Sequence, residues 1–365
     1  MKNLRLLFVS TPVGPLGSGL GGGVELTLLN LCHELQKRGH QITLVAPQGS
    51  ELSDLQIIEI AGQLQPTAHT QARHAPVLMP ENSVLARMWE YVYRAQKDYD
   101  LIVNFAYDWL PFYLTKTFYN LENKKSIYCP LAHFVSMGSL TNIIDNIISE
   151  VAYSYPGIIG VYTQAQARTF PFAEMCRIMG SAVDIDQYQF RGQPGAAVAW
   201  LGRISPEKGL EDAVKAVDSL GVPLKILGKL ENLSYWEAIL SDFPNAPIEY
   251  LGFLSTEKMQ LILRDCRALL MTPRWVEAFG NVAIEALACG VPIIAYDRGG
   301  PAEIVRPGET GWLVAPDSVS GLVAAIKRIN ELDRFACRRQ AEIEFSLEAW
   351  GNRFEKWFNE ITDMY

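Results

Sequence analysis

Two carboxylates, Glu277 and Glu285, bracket the segment Glu-Ala-Phe-Gly-Asn-Val-Ala-Ile-Glu. From Asn281 onward the apolar residues recur with the period of an α-helix, which predicts a helix over 281–288 with an Ala/Ile/Leu face in a core. Glu285 then sits on its first turns, and Glu277 lies on the loop that feeds it. Phe279, Gly280 and Asn281 form the turn at the helix start. Free backbone N–H groups and a positive dipole end suit a phosphate or a sugar oxygen there. Two acids beside an anion site are accounted for by hydroxyl groups, which donate to carboxylates. The segment therefore reads as a nucleotide-sugar pocket. The plainer readings are a solvated loop acid for Glu277 and a dipole-stabilised acid for Glu285.

Arg203 and Lys208 follow an apolar strand expected over 197–201, and open α/β sheets bind ligands at such strand ends. A guanidinium grips phosphate oxygens in bidentate fashion and an ammonium adds a point charge. Together they would stabilise a departing diphosphate; the alternative is a surface pair with Glu207 or Glu211. Gly22 and Gly23, in the glycine-rich stretch 14–23, suit a backbone that approaches a ligand closely. That stretch partly mimics a dinucleotide-binding G-x-G-x-x-G. The second strand ends in Ala46-Pro47-Gln48 with no acidic residue, which argues against a dehydrogenase. Asp98/Asp100 and Asp184/Asp186 each have Asp-x-Asp spacing. Strand and turn contexts explain both, and no metal and no cofactor is expected.

The elements that position these groups alternate. Strands are expected over 4–10, 41–46, 100–104, 126–131, 157–162 and 176–179, with a helix over 24–38 between the first two. The alternation restarts near residue 196, with strands over 197–201, 224–227, 248–251, 268–271 and 292–295 and a helix over 209–220. This predicts an α/β protein of two Rossmann-like domains, 1–190 and 196–345, joined near 191–195. Trp350, Phe354, Trp357, Phe358 and Ile361 form an aromatic stripe at helical spacing. It is expected to bring 346–365 back across to the first domain.

The 365 residues suffice for two cores, and a net charge of −8 excludes a general nucleic-acid binder. Residues 1–10 read as a buried first strand rather than a signal peptide, and no run reaches the roughly 18–20 apolar residues of a membrane span. The six cysteines form no CxxC pair, so reduced thiols in a cytoplasmic protein are expected. A monomer and a dimer are both compatible with the chain.

The segment 277–285, the following Ala-Leu-Ala-Cys-Gly-Val-Pro-Ile-Ile-Ala and the run Gly299-Gly300-Pro301-Ala302-Glu303-Ile304-Val305 resemble the glycogen-synthase-like family 4 (group 1) of retaining glycosyltransferases. Gly22-Gly23-Val24-Glu25, Gly202-Arg203 and Pro206-Glu207-Lys208-Gly209 extend the resemblance along the chain. It implies the GT-B fold, two Rossmann-like domains facing across a cleft. It also implies that Glu285 receives the ribose hydroxyls and Glu277 contacts the transferred sugar. Arg203, Lys208, Gly22 and Gly23 would attend the diphosphate, with the amides of Phe279, Gly280 and Asn281 on sugar and phosphate. His133, in Leu131-Ala-His-Phe134, resembles the family's active-site histidine; the plainer reading is a buried structural one. The implied chemistry is same-face attack through an ion-pair-like intermediate, with UDP-glucose as donor.

The acceptor belongs to the first domain. Residues 7–19, Asn104-Phe-Ala-Tyr-Asp-Trp-Leu-Pro111 and Ser136-Met-Gly-Ser-Leu140 resemble a subgroup that glucosylates tetrahydrobiopterin. A flat pterin wants an aromatic face and a carboxylate for its guanidine-like edge. Phe105, Tyr107, Asp108 and Trp109 could supply these, with Glu25 nearby; aromatics after a strand are otherwise core. A lipid or glycan acceptor is the main alternative. Residues 1–185 carry 13 Lys and Arg against 15 Asp and Glu, which speaks against attraction to anionic membranes. A UDP-sugar 2-epimerase and a non-catalytic nucleotide-sugar sensor are the readings from other classes.

Overall fold

The computed structural model describes residues 3–18, 23–52, 54–68, 71–118 and 129–364. The chain forms two compact units, one of Met1–Gly180 with Trp350–Tyr365 and one of Ser181–Ala349. Among the described residues no helix is long and apolar enough to cross a membrane.

The first unit is built on seven strands: β1 (Arg5–Val9), β2 (Gln41–Pro47), β3 (Gln56–Ile60), β4 (Leu101–Asn104), β5 (Leu131–Val135), β6 (Ile159–Val161) and β7 (Cys176–Ile178). All pair in parallel in the order β3-β2-β1-β4-β5-β6-β7. The second unit holds β8 (Val198–Leu201), β9 (Leu224–Leu227), β10 (Ile248–Tyr250), β11 (Leu269–Met271), β12 (Ile293–Tyr296) and β13 (Gly311–Val314). Their parallel order is β10-β9-β8-β11-β12-β13. Each order reverses direction beside its first strand, between β1 and β4 and between β8 and β11. That is where a doubly wound sheet opens a crevice at its carboxyl edge.

Residues 126–128 of the strand expected at 126–131 lie outside the described residues, and the observed strand starts at Leu131 and runs to Val135. His133 interrupts an otherwise apolar run and hid it. β3 was not foreseen because it is a half-exposed edge strand, and β13 because Gly311 and Trp312 open it. Asp100 takes a hydrogen bond from the Arg5 side chain at 2.9 Å, and Asp184 caps a 3-10 turn through Asp186 N–H. All six cysteines are free and buried.

The helix Leu347–Met364 lays its aromatic stripe on the first unit's sheet. Trp350, Phe354, Trp357, Phe358 and Ile361 are all buried. Phe358 meets Phe8 of β1 and Phe354 meets Phe134 of β5, with centroids 6.3 and 5.6 Å apart. The polar ends of the two indoles are satisfied as well: Trp350 Nε1 donates to Gly180 O (3.2 Å) and Trp357 Nε1 to Gly157 O (2.7 Å). Glu355 accepts from Arg38 and pairs with His40, fixing the helix along its axis. Trp357→Ala removes a buried ring and leaves Gly157 O without its donor, so we expect a loss of about 3–5 kcal/mol in urea denaturation. A loss below about 1 kcal/mol would show that the helix does not hold this sheet.

Candidate active site

The second unit's crevice is assembled from the loops that leave β8, β11 and β12. After β8 the chain turns through Pro206–Lys208 into Gly209, which has φ +65°. A β-carbon on Gly209 would run into the carbonyl of Thr272, the residue after β11. Thr272 Oγ1 locks this approach, donating to Gly209 O at 2.7 Å and accepting from Trp200 Nε1 at 3.2 Å. Lys208 is thereby held over the end of β11. On the other side, the Glu277 loop rests on Gly299, where a β-carbon would lie within 2.6 Å of the Glu277 backbone, and Gly300 N–H donates to Glu277 O at 2.7 Å.

The two loops meet through side chains. Lys208 Nζ donates to Glu277 Oε2, and the same oxygen accepts from Trp275 Nε1 at 3.0 Å. The ammonium also lies 5.1 Å from the centre of the Trp275 ring. The side chains of Lys208 and Glu277 are only 20% and 16% exposed, so removing either leaves a poorly solvated charge behind. Lys208, Glu277, Gly280, Asn281, Gly202 and Thr272 line one cavity of about 100 Å³.

The helix Asn281–Ala288 starts at this cavity as expected. Gly280 precedes it in the left-handed conformation, and no side chain caps it. Asn281 Oδ1 is buried without a hydrogen-bond partner, so the site contains one acceptor that a bound hydroxyl or amine would satisfy. Glu285 lies one turn further on, 9% exposed, and accepts from Tyr188 O–H at 3.3 Å. Burial pushes its carboxyl up to about 7, with the tyrosine bond pulling modestly the other way. Tyr188 lies far away in sequence, and no local pattern pointed to it. Trp275 was legible only as part of the 275–285 run.

Other residues fall elsewhere. The Phe279 ring packs into the core against Phe345, leaving only its backbone for a ligand. Arg203 does not line the cavity; its guanidinium is held by Glu207 (3.1 Å) and Glu231, whereas Glu211 pairs with Arg274. In the first unit Gly22 lies outside the described residues, and Gly23 opens the helix Gly23–Lys37. Glu25, in that helix's first turn, accepts from Gly17 N–H and so ties down the loop after β1. Tyr107 is half-buried and donates to Gly138 O at 3.1 Å, while Asp108 borders a cavity in the first unit.

Two assignments are corrected. His133 is wholly buried on β5, accepting at Nδ1 from Asn104 (3.1 Å), bonded at Nε2 to Thr115 Oγ1 (2.8 Å) and stacked on Phe112. Burial drives its pKa down to about 3, so it is a neutral structural histidine with no edge for a sugar. Phe105 is likewise wholly buried, between Phe8 and Phe134, and has no face for an acceptor.

The model of glycosyl transferases group 1 matches residues 189–343, and that of Glycosyltransferase Family 4 matches residues 21–123. The chain is 31% identical over 175 residues to a glycogen synthase of Mycobacterium tuberculosis, a match covering 45% of this chain and 42% of that protein. It is 31% identical over 202 residues to the D-inositol 3-phosphate glycosyltransferase of Rhodococcus erythropolis, covering 50% and 46%. The chain thus spans about half the length of the curated relatives it matches. Among solved structures, Anabaena HepE in complex with UDP and glucose superimposes with a TM-score of 0.73 over 98% of this chain and 100% of that one, at 16% identity. AviGT4, a glycosyltransferase involved in avilamycin A biosynthesis, gives 0.72 over 99% and 98%, also at 16%. At that identity the likeness establishes the GT-B fold.

The raised carboxyl of Glu285 gives a signed prediction. A folded pKa near 7 against an ordinary 4.5 means stability is greatest below pH 4.5 and falls as pH rises through 7. Relative to Glu285→Gln, the wild type should lose on the order of 3 kcal/mol between pH 4.5 and 8 in urea denaturation. Parallel profiles for the two proteins would show that Glu285 is not buried as described.

Proposed function

We propose that this chain is a retaining hexosyltransferase that moves glucose from UDP-glucose to a small acceptor, tetrahydrobiopterin. The observation that carries the reading is the convergence of Lys208, Glu277, the orphan Asn281 oxygen and an uncapped helix start on one cavity at the carboxyl edge of a doubly wound sheet. In this reading the diphosphate takes Lys208 from Glu277, so the cation meets the charge that develops as the donor breaks. Glu277, released, accepts from the sugar hydroxyls and offsets positive charge on the ring. The bond from the anomeric carbon to the β-phosphate oxygen breaks, and the acceptor oxygen bonds to that carbon on the same face. The acceptor's proton passes to the departing phosphate oxygen, so no enzyme nucleophile is needed. Glu285 receives the ribose hydroxyls as a carboxylate. Arg203 joins the diphosphate by leaving Glu207 and Glu231. The UDP and glucose named in the HepE complex support the donor; the acceptor rests on the resemblance of the first unit's loops.

The test is to incubate the chain with UDP-glucose and reduced biopterin and identify the product by mass and anomeric coupling. The reading predicts a pterin carrying one hexosyl group with the small coupling of an α-linkage. Transfer only to a glycan or lipid would overturn the acceptor, and UDP-sugar turnover without any acceptor would point to an epimerase. Glu277→Ala should lower transfer by roughly 10²–10³-fold while the chain stays folded. Near-normal turnover would remove Glu277 from the site.

A further inference from the structure

In the first unit three segments that follow β3, β4 and β5 converge at the carboxyl edge of the sheet. Gln65 N–H donates to Pro12 O at 3.0 Å, folding the loop after β3 over the end of β1. Asp108 and Trp109 follow β4, and Ile143 and Ile144 open the helix Asn142–Ser154 after β5. Together they line a partly open cavity of about 210 Å³.

Its polar groups are unbalanced. Gln65 is 6% exposed; its amide N–H donates weakly to Leu78 O at 3.4 Å, while its Oε1 is buried with no partner among the described residues. Asp108 accepts from the backbone N–H groups of Leu110, at 3.4 Å, and Trp109 at the start of the helix after β4, and among the described residues no cation pairs with it. Burial raises its carboxyl to about 6, which leaves it mostly ionised and poorly compensated at neutral pH. Among the described residues the remaining polar lining groups, Gln63 and Gln71, are uncharged and no lysine or arginine lines the cavity, so these residues offer no cation to a phosphate. A buried carboxylate with no cation beside it and spare acceptor capacity, together with an unmet amide oxygen, calls for hydrogen-bond donors.

The walls set the shape. Trp109 lies flat on Tyr113, with centroids 4.4 Å apart and planes at 18°. Leu64, Leu78 and Ile143 form an apolar rim, 40%, 59% and 37% exposed. Ligand pockets for drug-sized molecules run from about 300 to 1,000 Å³, so this one fits one or two rings rather than a glycan or a lipid chain.

We infer that this cavity is a binding site for a planar nitrogen heterocycle whose amino and ring N–H edge donates to Asp108 and Gln65, with its face against the apolar wall around Trp109. The inference deepens the acceptor reading above and rests on it for the claim that the bound heterocycle is the one glucosylated. It replaces Phe105 with the loop carrying Gln65 as the means of recognition.

Calorimetric titration of the full chain with pterin, which has a 2-amino-4-oxo edge, and with its 2,4-dioxo counterpart tests this. Pterin should bind at least tenfold more tightly than the dioxo compound. Asp108→Asn and Gln65→Leu should each weaken pterin binding at least tenfold, with melting temperatures matching the wild type as the control for folding. No pterin binding to the wild type, or binding that both variants retain in full, would overturn the site. Biopterin glucosylated with unchanged KM by both variants would overturn the cavity alone and leave the acceptor reading standing. Variant-sensitive pterin binding without glucosylation of reduced biopterin would support the cavity and sink that acceptor reading.

Discussion

The second unit's cavity exists because backbone segments at the carboxyl edge of its sheet come closer together than side chains would allow. Gly209 lies against the Thr272 carbonyl, and Gly299 and Gly300 lie against the backbone of Glu277 and Phe279. A β-carbon at any of these would push a loop outward by an ångström or more. The consequence is a fixed span between Lys208, carried by the loop after β8, and Glu277, carried by the loop after β11. Two opposite charges reach each other across the cavity mouth with Trp275 covering both. A partly buried pair of this kind contributes little net stability, because desolvation offsets much of the attraction. In the proposed function its value lies in readiness: each charge is held in position until a ligand of the matching sign replaces the partner.

The two carboxylates of the 277–285 segment are made chemically different by that architecture. Glu277 stands on a loop, shares its oxygen with an ammonium and an indole, and borders the cavity. Glu285 is drawn inside by the helix, with the Tyr188 hydroxyl donating to it and burial favouring its neutral form. Ligand hydroxyls donating to Glu285 would favour the charged form, so nucleotide binding and proton release at this residue are linked. Helix periodicity alone brings about this division: four residues past its start, a side chain faces the core rather than the solvent.

The helix Asn281–Ala288, the strand ends and the aromatic stripe of the last helix were legible in the sequence because each is written in local periodicity. The stripe needed no partner to be recognised: five large rings and aliphatics at helical spacing have to be covered. What periodicity does not encode is which polar residue beside a strand faces a ligand. His133 and Phe105 have the right types near the right strand ends, yet both point into the sheet's packing, where Asn104, Thr115 and the Phe8 and Phe134 rings already satisfy them. Arg203 has the right chemistry and position, but two carboxylates, one of them 28 positions away, hold it. Gln65 carried no signal at all, since an amide in a polar loop becomes informative only when its oxygen is found buried and unmet.

In the proposed function the Lys208–Glu277 pair marks the donor site and opens onto the diphosphate. A crystal structure of the chain with UDP-glucose tests it most directly. The expected result is the diphosphate in contact with Lys208 Nζ, the lysine parted from Glu277, and the glucosyl ring within hydrogen-bond distance of the freed carboxylate. A nucleotide bound elsewhere, with the Lys208–Glu277 pair intact, would contradict it.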